Sequence, residues 1–313
     1  MNIGLGTAAI GRPQYINIRK KATTKTFEKS TFIENGKQVL SQAYQNGIRH
    51  FDTAPGYGIA EQILLEWISE NNITDLTVST KWGYTYVANF DPNATVHEVK
   101  EHSLAKLNEQ WNYSSQLLPY LNIHQIHSAT LDSGVLINKE VLIRLMELKE
   151  VHNIEIGLST SGANQNEIIE KALEIKIHGK ELFDSFQVTY NLFDQSLAKI
   201  KDKLLNKKLI IKEALANGRV FPNEAFPNYQ EAYKLLTDLA KKHEVGIDAI
   251  ALRFCIDSIN PYKVLSGASE EDHLITNLQT ESIQLSEEDL KQLRTLSVIP
   301  EAYWHERKQL VWN

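Results

Sequence analysis

The chain has 313 residues, of which 42% are hydrophobic and 23% are charged, so it is long enough to bury a sizeable core. A formal net charge of -6 gives no overall attraction for nucleic acid or for an anionic membrane, and it favours small-molecule partners. The single cysteine, Cys255, excludes an internal disulfide and any multi-cysteine metal site.

The start of the chain, MNIGLGTAAIGRPQ, has no charged leader followed by a long apolar segment. No window approaches the roughly 18 apolar residues of a membrane-spanning helix. We therefore expect a cytoplasmic protein that binds neither membranes nor nucleic acid, as a monomer or a small homo-oligomer.

Short runs rich in Val, Ile and Thr alternate with longer segments of helical periodicity, which is typical of parallel strands joined by crossover helices. The predicted strands are Asn2 to Ala8, Arg49 to Thr53, Leu76 to Lys81, Leu121 to His127, Glu155 to Thr160, Ser185 to Asn191, Lys208 to Ala214 and Lys263 to Ala268. The predicted helices are Gly36 to Asn46, Ala60 to Asn71, Thr95 to Asn108, Asn138 to Val151, Asn164 to Ile177, Gln195 to Leu205, Gln230 to His243, Ile247 to Ser258, Glu270 to Leu278 and one capped by Ser286. Eight strand and helix pairs predict a (β/α)8 TIM barrel, with residues 1-313 as a single domain.

Two segments lie outside this alternation. The first, Arg12 to Asn35, follows the first strand and contains the basic residues Arg19, Lys20, Lys21, Lys25 and Lys29. It is either a solvated loop or a contact for an anionic cofactor or substrate. The second, Ala302 to Trp312, is a tail with two tryptophans that packs either beside the barrel mouth or on the exterior.

The segment GLGTAA at residues 4 to 9 matches a loose dinucleotide-binding pattern, and Glu28 follows at a suitable distance for a ribose contact. That pattern requires a helix that begins at the glycines. Pro13 follows instead, and the first good helical pattern waits until about Gly36. A doubly wound dehydrogenase is therefore the weaker interpretation.

Polar side chains stand at the ends of three consecutive predicted strands. Asp52 ends the second strand, Lys81 the third and His127 the fourth, and Tyr57 lies in the loop after Asp52. Each has a structural alternative, as a turn residue, a rim aromatic or a solvated strand end. Because the carboxyl ends of barrel strands converge on one face, we expect the four to share a pocket. His124 points to the opposite face from His127, so the two are not expected to share a metal, and no metal site is predicted.

This set suits the reduction of a carbonyl. The developing alkoxide needs a proton, and the ordinary pKa of a tyrosine, about 10, makes it a poor acid at neutral pH. An ammonium nearby lowers that pKa, and Lys81 is placed to supply it. Asp52 is expected to fix Lys81 by a salt bridge, while His127 donates a hydrogen bond to the substrate oxygen.

The segment GIRHFDTAPGYG at residues 47 to 58, with Glu61, resembles the signature of the aldo-keto reductases. The resemblance continues in order through TK at 80 to 81, QIH at 125 to 127, IGLS at 156 to 159, FQVTYN at 186 to 191 and GA at 267 to 268 with Asn277. It implies a TIM barrel and a catalytic tetrad of Asp52, Tyr57, Lys81 and His127, with Tyr57 as general acid and base. It also implies NADP(H) as the cofactor, less often NAD(H).

The cofactor residues that the resemblance implies are Ser159, Gln187, Lys212, Gly267, Ser269 and Asn277. Lys212 stands where the family usually has an aromatic that stacks on the nicotinamide, so we expect its charge to pair with Glu213. The segment after the eighth strand, SGASEEDH at 266 to 273, is acidic where the family normally carries Lys or Arg for the adenosine phosphate. Because this segment is acidic, NAD(H) is a second candidate for the cofactor.

The predicted substrate is a small carbonyl compound, an aldehyde, ketone or sugar. The candidate pocket walls are Trp82, Tyr84 and Trp304, because aromatics suit an apolar or sugar face. The alternative from a different class is a non-catalytic nucleotide-binding barrel with a regulatory role.

Overall fold

Eight parallel strands close into a barrel in the computed structural model, which describes residues 1-14, 17-18, 27-91 and 93-312. The strands are β1 (Ile3–Gly6), β2 (His50–Asp52), β3 (Thr77–Trp82), β4 (Leu121–Ala129), β5 (Glu155–Thr160), β6 (Ser185–Thr189), β7 (Lys208–Lys212) and β8 (Lys263–Ser266). Pairing of Ile3 with Val264 joins β1 to β8 and completes the ring. The predicted TIM barrel and all eight strands are confirmed.

The barrel strands are buried because both of their faces are covered. Side chains alternate between the barrel interior and the helix layer, so strands such as β6 are buried at every position. On β3, Lys81 and Thr80 are both fully buried although they point to opposite faces. The polar ends of the strands are thereby fixed within a packed framework.

The helices that surround the barrel follow the strands. They are α1 (Ala8–Gly11), α2 (Lys29–Gln45), α3 (Ala60–Glu70), α4 (Leu104–Ser114), α5 (Lys139–His152), α6 (Gln165–Leu173), α7 (Gln230–His243), α8 (Ile247–Ile259), α9 (Glu271–Leu278), α10 (Glu287–Arg294) and α11 (Pro300–Lys308). Ser286 caps α10 in a reciprocal capping box with Asp289. Within the described ranges, no helix combines the length and the apolar character needed to cross a membrane.

The predicted helix from Thr95 to Asn108 is wrong in its first half. Tyr84–Tyr86 and Glu98–Lys100 pair as an antiparallel hairpin, and α4 begins only after Ser103, whose side chain caps it. We call these two strands the outer hairpin. Its sequence is rich in aromatic and β-branched residues, which favour strands over helix.

Two further helix predictions need correction. Residues Ser196–Leu204 form a 3-10 helix where an α-helix was expected. The helix predicted to reach Ile177 ends at Leu173, and Lys176–Ile177 pairs with Lys180–Glu181 in a small hairpin. Gly179 at its tip has a φ of 78°, which a glycine adopts without strain.

The first loop differs in part from the prediction. A single helical turn, α1, follows β1 directly, and α2 begins at Lys29, earlier than the predicted start. The closed ring of strands nevertheless excludes the doubly wound sheet that a dinucleotide-binding pattern implies. Of the five basic residues named in this segment, Lys29 falls within the described chain, and Arg19, Lys20, Lys21 and Lys25 lie outside it.

Candidate active site

Asp52 and Lys81 form a buried ion pair at the mouth of the barrel. Lys81 Nζ donates to Asp52 Oδ2 at 2.5 Å and to the carbonyl oxygen of Thr53 at 3.1 Å. The other carboxylate oxygen, Oδ1, accepts from Ser79 Oγ at 2.6 Å and from Gln187 Nε2 at 2.7 Å. Because both carboxylate oxygens accept hydrogen bonds from the protein, Asp52 holds Lys81 in a fixed position.

Tyr57 stands above this pair, in the 3-10 turn Pro55–Tyr57 that follows β2. Lys81 Nζ lies 4.7 Å from the centroid of its ring. The ring of His127 meets it edge-on, with centroids 5.4 Å apart and planes at 90°. The structure therefore brings together the four side chains predicted from the strand ends.

The turn that carries Tyr57 depends on two glycines. A Cβ on Gly56 would come within 2.9 Å of Tyr84 Cβ. Gly58 has a φ of 68°, and a Cβ there would stand 2.3 Å from the carbonyl oxygen of Gly11. These contacts leave no room for a side chain at either position, so the loop packs tightly enough to fix the phenol.

Burial raises the pKa of Tyr57 well above its ordinary value of 10.0, and the negative charge of Asp52 adds to the effect. Arg12 acts in the opposite direction but does not offset it. The net lowering of the Tyr57 pKa that was expected from a nearby ammonium is therefore not found, although Lys81 lies beneath the phenol. Tyr57 carries its proton at neutral pH.

His127 is neutral at the same site. Burial lowers its pKa well below 6.5, and the positive charges of Lys81 and Arg12 lower it further. Its backbone oxygen accepts from His102 Nε2 at 2.9 Å, and its Nδ1 has no hydrogen-bond partner within the described part of the chain. A neutral imidazole has one N–H donor, so His127 is suited to hydrogen bonding and not to charge stabilisation.

Arg12 is a site residue that the sequence did not identify individually. Its Nη1 donates to the carbonyl oxygen of Gly56 at 2.9 Å and to Glu98 Oε2 at 2.7 Å. Its guanidinium carbon lies 5.7 Å from the centroid of Tyr57 and 4.7 Å from that of Trp312. The only sequence signal is its place in the loop after β1, since its partner Glu98 belongs to the unpredicted outer hairpin.

Lys212 does not form the predicted ion pair with Glu213. Its Nζ donates to Thr189 Oγ1 at 3.0 Å and to Ser161 Oγ at 3.3 Å, while Glu213 pairs with Arg307 at 2.9 Å. Burial raises the pKa of Glu213, but the charges of Lys212 and Arg307 outweigh it and hold that pKa at about 2. The pairing prediction is corrected, although the two charges still attract one another.

Three of the predicted cofactor residues turn their polar groups towards the protein. Gln187 donates to Asp52, and Ser159 Oγ accepts from the backbone N–H of Ser128 at 2.8 Å. Asn277 accepts from Ser266 Oγ at 2.8 Å and donates to Asp248 at 2.7 Å. These contacts fix the ends of β5, β6 and β8.

Gly267 and Ser269 lie in the loop between β8 and α9. Gly267 is exposed, and a Cβ there would meet no atom within 4 Å. Helix α9 has no side-chain cap, and Glu271 and Asp272 occupy its first turn. The loop is thus open, but the first turn of α9 is acidic.

The three aromatic residues predicted to line the substrate pocket lie in different surroundings. Tyr84 is half-buried, and its ring centroid lies 4.7 Å from that of His127. Trp82 is fully buried against His102, so the prediction that it lines the open pocket is wrong. Trp304 is also buried, donates Nε1 to Asp194 at 3.0 Å, and has its ring centroid 5.9 Å from Lys212 Nζ.

The tail returns to the mouth of the barrel. Helix α11 carries Trp304, and Trp312 beyond it stacks on His97 with ring centroids 4.5 Å apart. Trp312 also covers Arg12, which contacts the Tyr57 turn. Of the two alternatives for the tail, the structure supports packing beside the mouth.

His124 lies apart from the site, as expected. It packs edge-on against Trp111 of α4, between the barrel and the helix layer, and burial lowers its pKa to about 3. In the part of the chain that the structure describes, no group of three or more His, Cys, Asp or Glu side chains is placed to hold a metal ion.

Comparison with known proteins identifies the family. The model of the aldo/keto reductase family matches residues 2–298. No match was found among curated proteins.

Similar solved structures include AKR11C1 from Bacillus halodurans, with 18% identity, coverage of 97% of this chain and 95% of that one, and a TM-score of 0.70. The glycerol dehydrogenase AKR11B4 from Gluconobacter oxydans is 21% identical, with coverages of 94% and 90% and a TM-score of 0.71. MGS-M4, an aldo-keto reductase from a Medee basin deep-sea metagenome library, is 21% identical, with coverages of 95% and 91% and a TM-score of 0.63. At these identities the structures support the fold, and the family model supports the identity: the chain belongs to the aldo/keto reductase family.

Proposed function

We propose that this protein is an NAD(P)H-dependent oxidoreductase that reduces an aldehyde, ketone or sugar carbonyl, with Tyr57 as the proton donor. Family membership indicates oxidoreductase activity on small carbonyl compounds with a nicotinamide cofactor. The observation that carries the finer proposal is the buried Lys81–Asp52 pair beneath Tyr57, with His127 perpendicular to the phenol. We propose further that residues 1-313 act as one domain.

The residues at the mouth fit a nicotinamide cofactor. Gly267 leaves open space beside the uncapped start of α9, which suits a phosphate, and Lys212 offers an ammonium that two hydroxyls of the described chain hold. We propose that Lys212, Gly267 and Ser269 contact the cofactor directly. Ser159, Gln187 and Asn277 then act mainly by shaping the strand ends. When bound, the cofactor supplies a hydride to the carbonyl carbon.

Tyr57 supplies the matching proton. As the carbonyl carbon gains the hydride, its oxygen takes the proton from the Tyr57 hydroxyl, and the alcohol forms. The phenolate left behind lies beside Lys81, whose ammonium stabilises that charge. The neutral imidazole of His127 donates its N–H to the carbonyl oxygen and orients it. A proton from solvent then restores Tyr57.

The choice between the two cofactors is set by the loop after β8. NADP(H) is favoured on family grounds, whereas Glu271 and Asp272 in the first turn of α9 repel a 2'-phosphate and favour NAD(H). Fluorescence titration of the purified protein with NADPH and with NADH measures the two dissociation constants directly. A Glu271→Lys variant is expected to tighten NADPH binding selectively.

The catalytic proposal is tested by the oxidation of NADPH and NADH with a panel of aldehydes. Tyr57→Phe is expected to lower kcat by about 100-fold to 10,000-fold, the usual contribution of a general acid. Tyr120→Phe is the matched control, because its hydroxyl bonds to the carbonyl oxygen of Ile73 at the far end of the barrel. Tight cofactor binding without turnover of any carbonyl would instead support a non-catalytic nucleotide-binding barrel.

A further inference from the structure

The outer hairpin places a lysine with no acidic partner beside the catalytic residues. Lys100 Nζ donates to Thr130 Oγ1 at 3.0 Å, and no carboxylate of the described chain lies within ion-pair distance of it. Burial lowers the pKa of Lys100, and the more distant charge of Asp132 only partly opposes this. An ammonium that is partly withdrawn from water, with a hydroxyl as its partner, is an uncompensated charge.

One aromatic ring separates Lys100 from His127. Lys100 is the cross-strand partner of Tyr84, so the two side chains project from the same side of the hairpin. Lys100 Nζ lies 5.9 Å from the Tyr84 ring centroid, and the Tyr84 ring lies 4.7 Å from that of His127. Thr130 follows the end of β4, three residues after His127.

The hairpin is held in this position by helix α4 and by its own backbone. Gln110 of α4 accepts from the backbone N–H of Gly83 at 2.7 Å and donates to the carbonyl oxygen of Tyr84 at 2.8 Å. The backbone N–H of Glu101 donates to the carbonyl oxygen of Gly83 at 2.9 Å. The placement of Lys100 relative to His127 is therefore fixed by several hydrogen bonds.

Three other described cations of the mouth have anionic partners. Lys81 pairs with Asp52, Arg12 with Glu98, and Arg307 with Glu213. Lys212 is held by hydroxyls, as Lys100 is; burial lowers its pKa, and the charge of the adjacent Glu213 partly opposes this. In the described chain, Lys100 and Lys212 are thus the cations of this rim that lack an ion pair, and Lys212 is the one proposed above for the cofactor.

We propose that Lys100 and Thr130 form a subsite for an anionic group, a carboxylate or a phosphate, carried by the carbonyl substrate. The ammonium neutralises the anion and the Thr130 hydroxyl donates a second hydrogen bond to it, with the Tyr84 ring covering the atoms between this group and the carbonyl. This subsite rests on the proposed function, and it narrows the substrate class from carbonyl compounds in general to anionic ones.

The subsite is tested with matched pairs of aldehydes: 4-oxobutanoate against butanal for the carboxylate, and glyceraldehyde 3-phosphate against glyceraldehyde for the phosphate. For at least one pair, the wild-type kcat/KM is expected to be about 10-fold or more higher for the anionic member. Lys100→Met is expected to remove that preference through KM, with the neutral member changed by less than about threefold, and Lys100→Arg is expected to restore part of it. The proposal is overturned if Lys100→Met lowers kcat/KM equally for both members of a pair, or if the wild type prefers the anionic member in neither pair.

Two controls test whether the anionic group that Lys100 binds belongs to the substrate or to the cofactor. Lys106 lies on α4 and forms an exposed ion pair with Glu109. Lys106→Met is expected to leave kcat/KM unchanged for both the anionic and the neutral aldehyde. Lys100→Met is also expected to leave the dissociation constants of NADPH and NADH unchanged. Weaker cofactor binding in Lys100→Met would assign the anion to the cofactor and overturn the substrate subsite.

A direct binding measurement separates failure of the subsite from failure of the proposed function. Calorimetric titration of the protein with succinate and with inorganic phosphate is expected to show binding of at least one anion, about 10-fold weaker in Lys100→Met. If no carbonyl is turned over, the proposed function fails, and this titration still decides the subsite. Equal binding by wild type and variant, or no binding of either anion, rejects it.

Discussion

Tyr57 keeps its proton because burial outweighs the charges around it. Its pKa lies well above 10.0, and that of His127 lies well below 6.5, so neither group changes its protonation state near neutral pH. Both groups are therefore neutral at that pH, which is the state that the proposed roles require: a phenol as the proton donor and an imidazole as a hydrogen-bond donor.

The first prediction concerns the pH profile of carbonyl reduction. The kcat/KM is expected to stay flat between about pH 7 and 10, because Tyr57 remains protonated and His127 remains neutral across that range. Steady-state rates in constant-ionic-strength buffers provide the measurement. A basic limb with an apparent pKa between 7 and 9 would show instead that Lys81 controls the phenol.

The second prediction concerns the ion pair beneath Tyr57. Asp52→Asn leaves the ammonium of Lys81 buried without its counter-charge, and removal of one partner from such a pair costs about 3–5 kcal/mol. Urea denaturation is expected to report a loss of that order. Ser79→Ala removes a single neutral donor to the same carboxylate, and its loss is expected to be only about 1 kcal/mol. Similar losses for both variants would contradict a structural role for the charge.

How much of the site the sequence predicts depends on the distance of the contacts along the chain. Asp52, Tyr57, Lys81 and His127 were predictable because each stands at or just after a strand end. The partner of Glu213 is Arg307, which lies 94 residues further along the chain. The prediction that Glu213 pairs with the adjacent Lys212 was therefore wrong. Arg12 was missed for the same reason, since Glu98 belongs to a hairpin 86 residues away.

At the scale of elements, the strands were predicted well because buried parallel strands form short, continuous apolar runs. Their bounds differed from prediction by a few residues, as at β1, which ends at Gly6. The outer hairpin was not predicted because its strands have three residues each and lie half-exposed outside the barrel. Such short strands lack the length that makes periodicity informative.

Three elements meet at the buried carboxyl of Glu61 in α3. It accepts hydrogen bonds from Thr80 Oγ1 of β3 and from Ser114 Oγ at the end of α4, the latter at 2.9 Å. Burial raises its pKa from 4.5 to about 7. Because the folded state binds this proton more tightly than the unfolded state, the free energy of unfolding is expected to fall as pH rises from 4.5 to 7.

The third prediction follows from this shift. Glu61→Gln cannot ionise, so its stability relative to wild type is expected to improve between pH 5 and pH 8, by at most about 3 kcal/mol. Urea denaturation at both pH values measures the difference. Glu66→Gln is the control on the same helix, since the pKa of Glu66 is lowered by hydrogen bonds from Gln62 and Lys37. A constant difference between Glu61→Gln and wild type would contradict the raised pKa.

At the scale of the whole molecule, closure of the barrel is what assembles the site. Asp52 and Gln187 are 135 residues apart, and the ring of strands brings their side chains into contact across the mouth. The count of strands predicted this closure, but it did not predict where the tail would pack. Trp312 reaches Arg12 only because α11 runs back to the rim, and no local pattern encodes that path.

The most direct test of the account is a single-turnover measurement of carbonyl reduction. Protein loaded with its reduced nicotinamide cofactor is mixed with an aldehyde, and the loss of reduced-cofactor fluorescence is followed for wild type and Tyr57→Phe. We predict that the variant binds the cofactor with unchanged affinity and that its reduction step is slower by about 100-fold or more. Equal rates in the two proteins would contradict the role of Tyr57 as the proton donor.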